Sequence, residues 1–309
     1  MNRRQLLAAG GLALASGGGA LAQPASEVRN GKIAINGATL NYSAAGPADA
    51  HPLIVLHGGR GYGTHGGVFE TYKSLAGKYR VIGFDMRGHG GSSVDGPFTF
   101  DQMVQDVDAL RQQLGGGRPM VLLGGSFGGM IALSYALKHP QGLSHLVLRG
   151  TAPSWRHEEE ALVNFEERAA RKAPMATKAM LHKVFTPTIV SDEEFRLIMF
   201  AMAPMYVEDG ETADLDRILA NSQRTVYRAK VHNDLFADHS YDVVDKLSDI
   251  KTPTMVMCGD SDWICPPEQS RLIASKIAGS KLVIVPNSNH GVPGPVALRE
   301  VTTFLTERA

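Results

Sequence analysis

A chain of 309 residues with 31 basic and 31 acidic side chains has a formal net charge of zero and no basic block. That balance excludes a protein built to hold nucleic acid or another polyanion. With 43% hydrophobic residues it can bury one large core or two small ones.

Residues 1–22 read as an export signal. Arg3 and Arg4 open a short basic region, a weakly apolar Leu/Ala/Gly stretch follows, and Ala20-Leu21-Ala22 is an A-x-A-like cleavage site before Gln23. The paired arginines and the glycine-broken apolar stretch resemble a twin-arginine (Tat) signal. Ser16-Gly17-Gly18-Gly19 interrupts the apolar run, which argues against an anchor, and no other segment is long and apolar enough to span a membrane. The expectation is a periplasmic or secreted chain without stable membrane insertion once the signal is cleaved.

Residues 32–42 alternate apolar and polar around Asn36-Gly37, the pattern of a hairpin on a tight turn. Short apolar runs at 53–56, 79–84, 120–123 and 143–148 predict strands covered on both faces. Helical spacing over 68–76, 100–114 and 130–138 alternates with them. The rhythm resumes after Thr252: strand 254–257, helix 267–277, strand 281–285, helix 295–306. Such alternation predicts an α/β fold, with a mostly parallel sheet and helices on both faces. Residues 152–237 break it, with helices predicted over 158–172, 176–185, 193–202 and 212–227 and a capping box at Ser191 and Glu194. The domain reading is therefore a core of 23–151 and 238–309 carrying a helical cap, 152–237.

Between strand 120–123 and helix 130–138 stands Gly124-Gly125-Ser126-Phe127-Gly128-Gly129. Gly124, Ser126 and Gly128 fit G-x-S-x-G, a nucleophile elbow in which a serine on a sharp strand-to-helix turn projects its Oγ above the sheet. No Lys-Ser or Lys-Thr pair closes the run, so a phosphate-binding loop is disfavoured. A serine nucleophile needs a base and a group that orients it. His290 follows the last strand and a polar loop, at the sheet edge where open α/β folds bind ligands. The orienting acid should follow strand 254–257, where Gly259-Asp260-Ser261-Asp262 offers two candidates. Asp262 is preferred because it lies further towards the mouth of the site. Oxyanion donors are expected from the backbone of Phe127 and of Gly59, in the Gly-rich loop His57-Gly58-Gly59-Arg60-Gly61.

His57-Gly58-Gly59, Asp85-Met86-Arg87-Gly88-His89-Gly90-Gly91-Ser92, the elbow, 259–262 and Asn289-His290 follow one another in the order of the α/β-hydrolase superfamily. The chain most resembles the proline iminopeptidase branch, through Gly124-Gly125-Ser126, Leu146-Val147-Leu148-Arg149-Gly150 and the helical cap that follows. The resemblance implies Ser126 as nucleophile, Asp262 as acid and His290 as base. It has departures: Arg60 where that branch usually has Pro, Met86 for Gln and Phe127 for Trp. His89 looks more like general esterases and cofactor-free haloperoxidases.

The reading is an exported serine hydrolase that cleaves an ester, amide or short peptide through an acyl-enzyme, with no cofactor and no metal. Lactone, carbon–carbon or perhydrolysis chemistry on the same residues is the alternative, and a non-catalytic binding protein a further one. The branch grips a substrate amine with cap carboxylates, for which Glu208, Asp209 and Glu211 are the candidates; Glu158-Glu159-Glu160 read as a solvated helix start. Met199, Phe200, Met202, Met205 and Tyr206 read as cap core more readily than as an acyl pocket. Cys258 and Cys265 could pair in an exported protein, although spacing cannot establish it.

Overall fold

A computed structural model describes residues 27–237 and 241–307. The expected export signal lies outside them. Strands β1 (Arg29–Ile35) and β2 (Ala38–Ala45) form the predicted hairpin. Its turn places Asn36 at φ 47° and Gly37 at φ 80°, the left-handed pair that an Asn-Gly turn supplies. Next come β3 (His51–Leu56), helix α1 (Gly66–Tyr72), β4 (Tyr79–Phe84), α2 (Phe100–Leu114) and β5 (Met120–Gly125). Helix α3 (Phe127–Lys138) and β6 (Leu143–Arg149) close the first half. The second half is β7 (Thr254–Gly259), α9 (Pro267–Lys276), β8 (Lys281–Val285) and α10 (Gly294–Glu307).

The eight strands lie in the order β1-β2-β4-β3-β5-β6-β7-β8. The first two pairings are antiparallel and the rest parallel. Two buried clusters line the sheet: one includes Met103, Val107 and Leu110 of α2 and Ile131 of α3, the other Phe69 of α1 and Val301 and Phe304 of α10. Burial on both faces explains why β5 has no exposed residue and reads as an unbroken apolar run. After β3 the chain goes to β4 on one side and then to β5 on the other. The crevice at the carboxyl ends of β3 and β5 is thus a topological switch point.

Between β6 and β7 lie α4 (His157–Lys172), α5 (Lys178–Val184), α6 (Asp192–Met202), α7 (Leu215–Arg224) and α8 (Ala229–Ala237). Four match predicted helices. The fourth is shorter than expected because Asp214 caps it, accepting from Arg217 N, and Thr225 is extended. Helix α8 was not predicted; its buried Val231, His232, Leu235 and Phe236 repeat at helical spacing. Ser191 accepts from Glu194 N, while Glu194 reaches back to Val190 N, one residue before the cap. The inserted helices share their own buried cluster, with Phe165, Phe195, Met202, Met205 and Trp263, the last from the loop after β7. Cys258 and Cys265 are buried and unbridged.

Candidate active site

Ser126 joins β5 to α3 with φ 54° and ψ −124°, a strained conformation for a residue with a side chain. Such strain costs on the order of 1–3 kcal/mol and persists only where the surroundings enforce it. They do so here. Ser126 N donates to Arg149 O at 2.9 Å, and Thr151 Oγ1 donates to Ser126 O at 2.7 Å. A Cβ on Gly124 would lie 2.2 Å from Gly128 O, and one on Gly128 would lie 2.5 Å from His57 O. The glycines of the motif are therefore steric requirements of strand, helix and loop meeting at one point.

Asp262 is fully buried in the loop after β7. Its Oδ1 accepts from Ile264 N at 3.1 Å and Cys265 N at 2.9 Å, and its Oδ2 faces His290 Nδ1 at 2.8 Å. A proton on Nδ1 leaves the Nε2 lone pair of His290 available as a base. Asp260 instead accepts from Asn287 N and Ser288 N, and so shapes the loop that carries His290. The segment after β6 links the two halves. Arg149 and Thr151 bond the Ser126 backbone, while a Cβ on Gly150 (φ 48°) would sit 3.0 Å from Asp262 Oδ2 and 3.4 Å from His290 Nδ1.

The loop after β3 passes directly over the serine: a Cβ on Gly58 would lie 3.0 Å from Ser126 Cβ. Two buried histidines brace that loop. His57 Nδ1 donates to Gly58 O and its Nε2 accepts from Met86 N. His89 Nδ1 donates to Arg87 O and its Nε2 accepts from Gly61 N. Each accepts a bond at one nitrogen, which requires a neutral ring. Burial lowers both pKa values, that of His89 to about 3. Below them, Asp85 accepts from His65 N and Nδ1, Asn41 Nδ2 and Gly91 N. Burial raises its pKa, but these bonds outweigh that and hold the carboxyl well below its usual range.

Gly59, Ser126 and Phe127 line one cavity of about 60 Å³ at the switch point. The core contributes Arg60, Tyr62 and Met130; the inserted helices contribute His157, Glu158, Phe185, Phe195, His232 and Phe236. Burial pushes His157 and His232 down to about 4. Glu158 was read from sequence as part of a solvated helix start. Only its exposed neighbours Glu159 and Glu160 fit that reading, because α4 packs with its first turn over the cavity. Glu208, Asp209 and Glu211, the acids expected to hold an amine, do not line this cavity. Glu208 accepts from Asn289 N at 2.5 Å, beside His290, and Asp209 pairs with Lys172. Asn289 Nδ2 also donates to Met205 O and Val207 O, so this segment of the insertion grips the loop that carries His290. Met199, Met202 and Met205 are buried core. Among the described residues no group of three or more His, Cys, Asp or Glu side chains could hold a metal ion.

The sequence matches the alpha/beta hydrolase fold family over residues 51–293. It is similar to the proline iminopeptidase PfmaB of Pestalotiopsis fici, 43% identical over 263 residues that cover 84% of this chain and 92% of the relative. A proline iminopeptidase of Lactobacillus acidophilus is 30% identical over 281 residues, covering 85% and 92%. The crystal structure of a hydrolase from Pseudomonas aeruginosa PA01 superposes with a TM-score of 0.68 at 28% identity, over 89% of this chain and 98% of that one.

Proposed function

The chain belongs to the alpha/beta hydrolase fold family, in its proline iminopeptidase-like branch, and from that premise we propose that it is an exported serine aminopeptidase. The observation that carries the catalytic reading is the 2.8 Å contact of Asp262 Oδ2 with His290 Nδ1, tied through Gly150 and its neighbours to the strained Ser126. Ser126 Oγ attacks the substrate carbonyl while His290 Nε2 takes its proton. Asp262 fixes the imidazole tautomer and stabilises the imidazolium. The N–H groups of Gly59 and Phe127 receive the developing oxyanion. His290 then gives the proton to the leaving amine, and water, deprotonated by His290, releases the acyl group from Ser126.

In this reading the inserted helices act as a cap that selects the acyl residue. Glu158 lines the cavity with Ser126 and is the carboxylate placed to receive a free α-amine, which needs a charged partner when it leaves water. The test compares aminoacyl arylamides with their N-acetylated forms. Acetylation is expected to abolish turnover. Comparable kcat/KM for blocked and free substrates removes the aminopeptidase reading and leaves a general ester or amide hydrolase. Export is read from the sequence: the paired arginines, the weakly apolar stretch and the A-x-A site at Ala20-Leu21-Ala22. The mature N-terminus is expected near Gln23, and Arg3→Lys with Arg4→Lys should block export; an intact Met1 in periplasmic material refutes it.

A further inference from the structure

Arg60 stands directly after Gly59 and sends its guanidinium into the cavity that holds Ser126. It is half-buried, over three aromatic rings: Cζ lies 4.0 Å from the centroid of Phe236, 5.5 Å from Phe100 and 5.6 Å from Phe127. Among the described residues its guanidinium makes one hydrogen bond, from Nη2 to the Met130 sulfur, a weak acceptor. Among the described residues no carboxylate lies within ion-pair distance of it. Glu158, on the same cavity, acts on it only through its longer-range field. His157 and His232, also on the cavity wall, are neutral and add no charge of either sign. A guanidinium has five N–H donors in a planar fork that matches a carboxylate. Here the rings hold the fork in place and supply no acceptor for it. A structural arginine would have its donors spent on backbone carbonyls, as Arg87 does on Asp95 O, Gly96 O and Asn36 O beside its Asp106 pair.

We propose that Arg60 is a specificity residue that binds a carboxylate on the acyl part of the substrate. The inference rests on the Ser126 cavity being the substrate site and adds to it the chemical class of the acyl group. The occupant supplies the acceptor oxygens that the described residues leave out. Burial and the rings make a neutral acyl group of the same shape a poor substitute, because the fork would then stay unpaired in a partly desolvated site.

The kinetic test pairs the α-(p-nitroanilide) of L-glutamate with that of L-glutamine, which both keep a free α-amine and differ only in a carboxylate against its neutral amide isostere. The enzyme should prefer the glutamyl substrate at least tenfold in kcat/KM. Arg60→Gln should shrink that preference at least tenfold, and Arg60→Lys should retain part of it. A preference unchanged by Arg60→Gln overturns the proposal. The binding test needs no turnover: Ser126→Ala protein should bind L-glutamate at least tenfold more tightly than L-glutamine. Equal binding of the two overturns the proposal even if arylamides are cleaved. If no ester or arylamide is cleaved at all, the hydrolase reading fails while the binding result still decides for or against Arg60. Should Arg60→Gln fail to fold, Arg60→Lys and the binding pair decide.

Discussion

The two walls of the Ser126 cavity are held in place differently. On the core wall, Gly59, Ser126 and Phe127 are positioned through main-chain atoms: Ser126 N on Arg149 O, Gly61 N on His89, Met86 N on His57, and glycines that leave no room for a Cβ. On the helical wall, Glu158, Phe195 and Phe236 are positioned by side-chain packing, with Phe195 set edge-on to Tyr62 and Tyr227 and in contact with His232. Main-chain placement demands particular residue types at fixed spacing, whereas packing is satisfied by many apolar combinations. The proposed chemistry therefore has a motif and the helical wall has none.

If the core wall carries the reaction, Ser126→Ala should have the largest effect. Loss of such a serine costs about 10⁶-fold in kcat in a comparable triad hydrolase. The melting temperature should stay unchanged, because the hydroxyl makes no packing contact that the methyl group would lose. A fluorophosphonate label on any other residue breaks the assignment. Asp262→Asn should come next, near 10⁴-fold by analogy with the same change in a serine protease triad. Asp260→Asn should cost far less in rate and act through the turn it holds. Reversed effects would exchange the roles of the two aspartates.

The smallest effect separates the walls by pH. His89, bracing the loop behind the core wall, and His157 and His232 on the helical wall have folded-state pKa values of about 3, 4 and 4, all below the usual 6.5. The unfolded chain therefore binds more protons than the folded one between about pH 6.5 and 4, and stability rises with pH across that window. Above it these rings impose no penalty; within it folding must exclude their protons, and below it the folded rings take them up too and the cost stops growing. Each contributes a slope of at most about 1.4 kcal/mol per pH unit. His232→Gln should flatten the acid limb of a melting-temperature profile by up to one proton and leave the neutral limb in shape. An unchanged acid limb would mean that the helical wall opens to water before it titrates.

The sequence by itself determined the eight-stranded alternating fold, the hairpin at Asn36-Gly37 and the positions of Ser126, Asp262 and His290 along it. Strand burial, left-handed turns and glycine contacts leave signatures a few residues long. It also ranked Asp262 over Asp260, but only the packing of the loops after β7 and β8 decided which carboxylate meets Nδ1 and which holds a turn. Helix α8 escaped because the predicted stretch 212–227 stops before it and its nine residues, five of them buried, are too few for a full amphipathic repeat. Glu158 was legible only as one of three adjacent acids. Its neighbours face solvent, and the rotation of α4 about its axis, a property of the packed cluster around Phe165 and Trp263, turned this one inward. Arg60 was visible as a departure from the proline of similar chains. That its guanidinium lies on Phe236, 176 positions along the chain, was fixed only when the inserted helices closed over the sheet.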